Sequence, residues 1–289
     1  MGLLRVAFLV QVLRISVPYV LCALGGTVCE RSGVTNLALE GMLLAGAFTT
    51  TCGAFFGGGI AGGVLAGVAG GAAIAALYAL VTLRFGADQI VSGVAINLLA
   101  LGLTRYLLKL IFHSASSSPT VPGLGGTGVT LVWVCAAALL AFGMHAWMML
   151  TPGGLRLRAV GEHPAAAESL GVRVLAVRLR AVLAAGVLAG LGGAWLALDN
   201  HGFVDRMSGG RGYIALAAMI FGRWRPLAAT AACLLFGFAD ALQLNLQASV
   251  HGVPRELVQI IPYGLTMIAL AGVMGRARPP AALGVPYGR

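Results

Sequence analysis

The feature that most constrains this chain is its succession of nearly uncharged apolar runs, each close to the length of a membrane-spanning helix. They recur near 5–28, 35–56, 60–83, 88–112, 129–150, 181–199, 211–223, 226–246 and 255–274. A helix needs roughly 20 apolar residues to cross a bilayer, where the backbone polar groups must all be satisfied within the protein. The run at 211–223 is short, and the Gly-rich stretch SGGRGYIALAAMIFG predicts a broken or half-membrane helix before the basic turn RWRP. Composition points the same way: 10% of residues are charged and 59% hydrophobic, whereas a soluble domain carries about 25% charge to cover its wet surface. The expected fold class is an all-α polytopic membrane protein of about nine transmembrane helices.

The formal charge of +10 has no basic face interleaved with aromatics, so it does not indicate nucleic acid. Its arginines sit between apolar runs, as the positive-inside rule requires of loops left in the cytoplasm. Placing 151–180 inside also puts Glu30–Gly33, Arg84, Arg223, Arg225 and the tail with Arg276 and Arg278 inside. The uncharged loop His113–Gly123 then falls outside. This leaves the N-terminus external despite Arg5 and Arg14, and the C-terminus cytoplasmic. The expected organisation is one transmembrane domain over 1–289, with a first helix group at 5–150, a cytoplasmic loop at 151–180, a second group at 181–275 and a tail at 276–289.

A faint internal repeat crosses these groups. SGVTNLALEGMLLAGA from Ser32 echoes SGGRGYIALAAMIFGR from Ser208, and the segment from Ala87 echoes that from Arg255. Five crossings separate the first pair, so the copies are inverted in the membrane, an arrangement typical of transporters with a path near the midplane. Chance matching of Gly/Ala/Leu-rich sequence is the alternative. Gly59, Gly63, Gly67 and Gly71, and Gly186, Gly190 and Ala194, recur at four-residue spacing, which predicts close helix packing. Trp133, Trp147 and Trp195 near span ends fit an aromatic belt. Cys22, Cys29, Cys52, Cys135 and Cys233 form no CxxC pair and read as buried free thiols, and the scattered histidines give no metal site.

Polar groups inside spans carry the functional signal, because each is costly in lipid unless it meets a partner or a cavity. Glu40 stands out, following Asn36 in the second span. Gln89, Ser92 and Asn97 make a polar stripe on the fourth, while Asp240, Gln243, Asn245 and Gln247 crowd the eighth. Asn36, Glu40, Gln89, Ser92, Asn97, Gln243 and Asn245 are the candidates for lining a solute path; helix–helix hydrogen bonding is the competing role. No GxxxxGK[ST], GxSxG or HExxH occurs, so the chain offers no energy source or nucleophile of its own.

Thr151–Arg180 differs from its surroundings, with five arginines, two glutamates and a histidine. PGG ends the fifth span, LRLRAVGEHP reads as a connector, and AAAESLGV as a short helix stopped by Gly171. It suits either a rigid plug for a soluble partner or a basic loop on anionic lipid. The segment is similar to the coupling loop of ABC importer permeases, with Ala166, Ala167 and Gly171 in the place of their EAA…G core. Together with Glu30–Phe48, Gly86–Thr104 and Gly210–Pro226, it resembles the permease family serving branched-chain amino acid, ribose-type sugar and nucleoside uptake. SGVTNLALEGM and ADQIVSGVAINLL look most like the nucleoside branch.

That resemblance implies a type II importer permease of the bacterial cytoplasmic (inner) membrane. Two permease subunits, often paralogues, enclose the path. Each docks a cytoplasmic ABC ATPase, which binds the ATP and Mg, so this chain needs no cofactor, and an extracytoplasmic binding protein or lipoprotein delivers the solute. The implied coupling residues are Gly154, Glu162, Ala166, Ala167, Glu168, Gly171 and Arg173. Sugar or branched-chain amino acid uptake, or a scaffold without a solute path, are the competing functions; an ATPase gene, a second permease and a lipoprotein nearby would exclude the scaffold.

Overall fold

The computed structural model describes residues 6–249 and 278–287. These form ten helices: α1 Val6–Arg31, α2 Leu39–Gly53, α3 Gly59–Ala79, α4 Gln89–Phe112, α5 Gly126–Leu150, α6 Pro152–Glu162, α7 Pro164–Ser169, α8 Val174–Asp199, α9 Arg211–Phe221 and α10 Pro226–Ser249. Six helical stretches are long and apolar enough to cross a membrane. One of them, Leu39–Arg84, reverses at Phe56–Gly59, where Gly57 has φ +98°, so it supplies the antiparallel pair α2 and α3. The expected ninth span, 255–274, lies outside the described residues, as do Arg276 and the end of the tail.

The centre of the bundle is the triple crossing of α2, α3 and α8, made possible by missing side chains. A Cβ on Gly46 would sit 2.6 Å from Gly190 Cα, one on Gly71 2.7 Å from that same atom, and one on Gly186 2.6 Å from the Gly71 carbonyl oxygen. Backbones approach this closely only where no Cβ intervenes, and the dispersion gained is what lipid cannot match. Gly63 and Gly67 belong to the same face, Gly63 against Thr50 and Gly67 against Gly46 and Ala194. Gly59 does not: it serves the α2–α3 reversal with φ +55° and has nothing near its missing side chain.

Two ends of the bundle are defined by loop contacts. At one end lie α6, α7, the α1–α2 turn and residues 278–287, joined by bonds from Ala282 N to Gly161 O (2.9 Å) and from Gly284 N to Gly33 O (3.2 Å). At the other, the loop before α5 packs on the segment after α8, with Ser118 N donating to Phe203 O at 2.8 Å. There Arg14 also pairs with Asp199 at 2.6 Å.

Four sequence expectations change. LRLRAVGE is helix α6, not a connector: Thr151 caps it by accepting from Gly154 N (3.2 Å), and Pro152 takes the first turn. The next membrane helix starts at Val174 rather than 181. Trp195 is no belt residue; it is 1% exposed, packs on Trp133 and donates Nε1–H to Arg14 O at 3.1 Å. Of the cysteines, Cys22, Cys29 and Cys233 are buried, Cys52 is intermediate and Cys135 is exposed.

Candidate functional site

Two helix interruptions face one another inside the bundle. The chain leaves α1 at Arg31, turns through Gly33 in a left-handed conformation (φ +89°) and runs without helix to Ala38 before α2 begins. Asn36 shapes the entry by accepting from Ala38 N at 3.1 Å, an Asx turn. From the opposite end the chain descends after α8 to Gly209 and Gly210, both at positive φ, and α9 starts there. With 11 residues, α9 is about 16 Å long, roughly half the hydrocarbon thickness.

Glu40 joins the two. Its Oε1 accepts from Gly210 N at 2.8 Å and its Oε2 from Gly212 N at 2.7 Å. A helix start exposes unpaired N–H groups and the positive end of its dipole, and a carboxylate answers both. Gly212 permits the approach, since a Cβ there would lie 2.5 Å from Glu40 N. Arg211 folds back, donating to Met207 O at 2.8 Å.

Asn97 on α4 locks this junction from the side. Its Oδ1 accepts from Gly41 N (2.8 Å), and its Nδ2 donates to Leu37 O (2.8 Å) and to the Tyr213 hydroxyl (2.9 Å). Gln89, the first residue of the same helix, accepts from Thr35 N at 2.8 Å. Tyr78 donates to the carbonyls of Thr35 and Gln89. Ser92 lies on the same buried stripe of α4. At the far end of α9, Trp224 Nε1 donates to Glu30 Oε2 (2.7 Å) and Arg31 Nε donates to Trp224 O (3.0 Å).

Asn36, Glu40, Gln89 and Asn97 thus converge. Gln243 and Asn245 do not; they belong to α10, and Asn245 bonds Gln11 of α1 at 2.9 Å. Tyr19 of α1 donates to Asp240 along the same seam. Tyr213, Tyr78, Glu30 and Trp224 escape the sequence reading. Of these, only Tyr213 had a nearby cue, in the glycines of GRGY. The junction is not sealed: Glu40 is half-buried, Tyr213 is 45% exposed, and the adjoining Val94 and Leu98 of α4 face outward. The cluster therefore presents a carboxylate and a phenol beside an open apolar helix face, with the Asn97 amide buried behind them and its bonds made within the protein. No group of three or more potential metal ligands occurs among the described residues.

The second candidate region is the α6–α7 end. Gly154 sits against Met148, leaving no room for a side chain. Ala167 is buried while Ala166 and its neighbour Ala165 are exposed, and Leu170 projects at 85% exposure. Gly171 closes the helix at φ +82°, as a C-terminal cap requires. Arg173 is exposed. Glu162 faces Arg31 at 3.9 Å and accepts from Ala281 N at 3.2 Å. Glu168 accepts from the Tyr287 hydroxyl at 2.5 Å, and that bond raises the tyrosine's titration above its ordinary range.

A bundle of apolar helices with two interrupted segments joined at its middle, and a short exposed helix held rigidly at one end, defines a permease-type membrane protein. The chain belongs to the branched-chain amino acid transport system / permease component family, whose model matches residues 8–270. It is 40% identical to the guanosine ABC transporter permease protein NupQ of Bacillus subtilis, over 96% of this chain and 98% of that one. The nucleoside ABC transporter permease protein NupC of Lactococcus lactis is 35% identical over 94% and 93%. A second Bacillus subtilis guanosine permease, NupP, is 26% identical over 94% of this chain and 85% of its own length. Among solved structures, a metal-chelate-type ABC transporter in an inward-facing conformation shares the fold (TM-score 0.54, 15% identity, 93% of this chain and 86% of that chain).

Proposed function

We propose that this chain is the membrane-spanning subunit of an ATP-binding cassette importer of nucleosides. The observation that carries it is the near full-length likeness to guanosine and nucleoside permeases. The site agrees with that solute in kind: the open edge of the cluster offers the Glu40 carboxylate and the Tyr213 hydroxyl for a ribose or base edge, and the Tyr213 ring for stacking. The path runs along this edge, closed by a second permease copy; the NupQ and NupP pair in one organism favours a paralogue.

The energy comes from a separate ATPase that binds ATP and Mg and seats on α7 through Ala165, Ala166 and Leu170, with Glu162, Glu168 and Arg173 around them. In this reading the α6–α7 end is cytoplasmic, the N-terminus external, and an extracytoplasmic binding protein supplies solute at the other face of the bacterial inner membrane. Proteoliposomes holding the complete complex test this. ATP hydrolysis and uptake of labelled guanosine should both rise with added nucleoside and binding protein. Stimulation by ribose or leucine instead would overturn the substrate.

A further inference from the structure

Three surface grooves run end to end along α5, α6 and α8. The first, about 500 Å³, is lined by Ala136, Leu139, Leu140, Gly143, Met144 and Trp147 and contains no charge. The second, about 300 Å³, shares Trp147 and adds Val28, Leu157, Ala181 and Ala184 together with Arg156 and Arg180. The third, about 390 Å³, shares Arg156 and Arg180 and adds Arg173 beside Leu170 and Gly171. Polarity therefore changes along one track of shared residues, from an uncharged apolar trough, past the Trp147 indole, to three arginines.

No acidic side chain lines any of the three grooves. Arg156, Arg173 and Arg180 have no carboxylate partner among the described residues; the ion pairs there use Arg14, Arg31 and Arg105. Nearby Glu162 and Glu168 are turned to Arg31 and Tyr287 instead. Trp147 lies in the last turn of α5, the depth at which indoles sit at the headgroup level. A basic end, an interfacial aromatic and an apolar trough in that order match one kind of molecule.

We infer that this track is a binding site for an anionic glycerophospholipid of the leaflet facing α7, its phosphate on Arg156 and Arg180 and an acyl chain along α5. Zwitterionic lipid satisfies the trough equally well and also brings a phosphate, but its ammonium cancels the net negative charge that the unpaired arginines favour. Each basic side chain at the membrane surface contributes about 1 kcal/mol toward anionic lipid, which is about fivefold in relative affinity. Because the headgroup end borders Leu170 and Gly171, the lipid lies against the helix that takes up the ATPase.

The test uses the complete complex in nanodiscs, with brominated phosphatidylglycerol or brominated phosphatidylcholine quenching tryptophan fluorescence. The contribution of Trp147 is obtained by difference from Trp147→Phe. Phosphatidylglycerol should quench Trp147 at least about fivefold more effectively at equal mole fraction, and Arg156→Gln with Arg180→Gln should remove that preference while quenching by phosphatidylcholine persists. Equal quenching by the two lipids, or a preference surviving the double substitution, overturns the site. So does Trp147 that neither lipid reaches, which would show protein covering the groove. None of these readouts depends on which solute is transported.

Discussion

Replacing Glu40 isolates the junction on which the interior depends. In Glu40→Ala, Gly210 N and Gly212 N lose their acceptors at 2.8 and 2.7 Å. Hydrogen bonds to charged groups contribute about 1.5–3 kcal/mol each, so the pair accounts for about 3–6 kcal/mol, before the smaller loss of charge at the helix dipole. Glu40→Gln keeps one acceptor and turns an NH2 toward the other amide, so it should lose about half. Hydrogen exchange by mass spectrometry on a peptide spanning 207–214 reads this directly. Exchange of these amides should accelerate about tenfold to a hundredfold in Glu40→Ala, the equivalent of one bond each, with an intermediate effect in Glu40→Gln. Thermal melting in detergent should fall in the same order. Unchanged exchange at 210–212 in Glu40→Ala would refute the claim that the carboxylate holds the start of α9.

Gly190→Leu puts side-chain atoms where a Cβ alone would lie 2.5 Å from Gly67 O; overpacking of this kind costs about 1–3 kcal/mol or more, and the protein should melt earlier and yield less monodisperse material on size exclusion. Gly171→Val forces a β-branched residue to φ +82°, and the ATPase should no longer co-purify while the helical content by circular dichroism stays constant; retained co-purification and transport would count against α7 as the docking element. Tyr213→Ala should lower nucleoside uptake far more than ATPase binding, and Asn97→Ala should do so together with a drop in melting temperature, because Asn97 holds three partners. Uptake at the wild-type rate in Tyr213→Ala would move the path elsewhere.

The spans were legible because lipid leaves so few ways to cross it: long uncharged runs declare themselves, and the consecutive glycines ahead of Arg211 marked a helix that had to start late. Glu40 was legible as an anomaly, its cost demanding a partner. The partner was not, since the accepting geometry depends on amides 170 residues later that carry no side-chain signature. The glycine spacing on α3 and α8 forecast close packing but could not tell Gly59, which turns the chain, from Gly63, which packs. Helix α6 was missed although Thr151 and Pro152 form a cap and first turn, because the preceding apolar run drew the boundary. Trp195 was misplaced for a related reason: position near a span end says nothing about whether a neighbouring helix offers a carbonyl, here that of Arg14.

The strap at 278–287 changes how force can travel. Ala282 holds the carbonyl of Gly161 and Gly284 that of Gly33, while Tyr287 grips Glu168. Helix α7 and the turn leading to Glu40 are therefore stitched to one ribbon, a connection that bypasses the length of a membrane span. If the ATPase seats on α7 as proposed, a push there is delivered at the root of the interrupted helix, close to the Glu40 carboxylate.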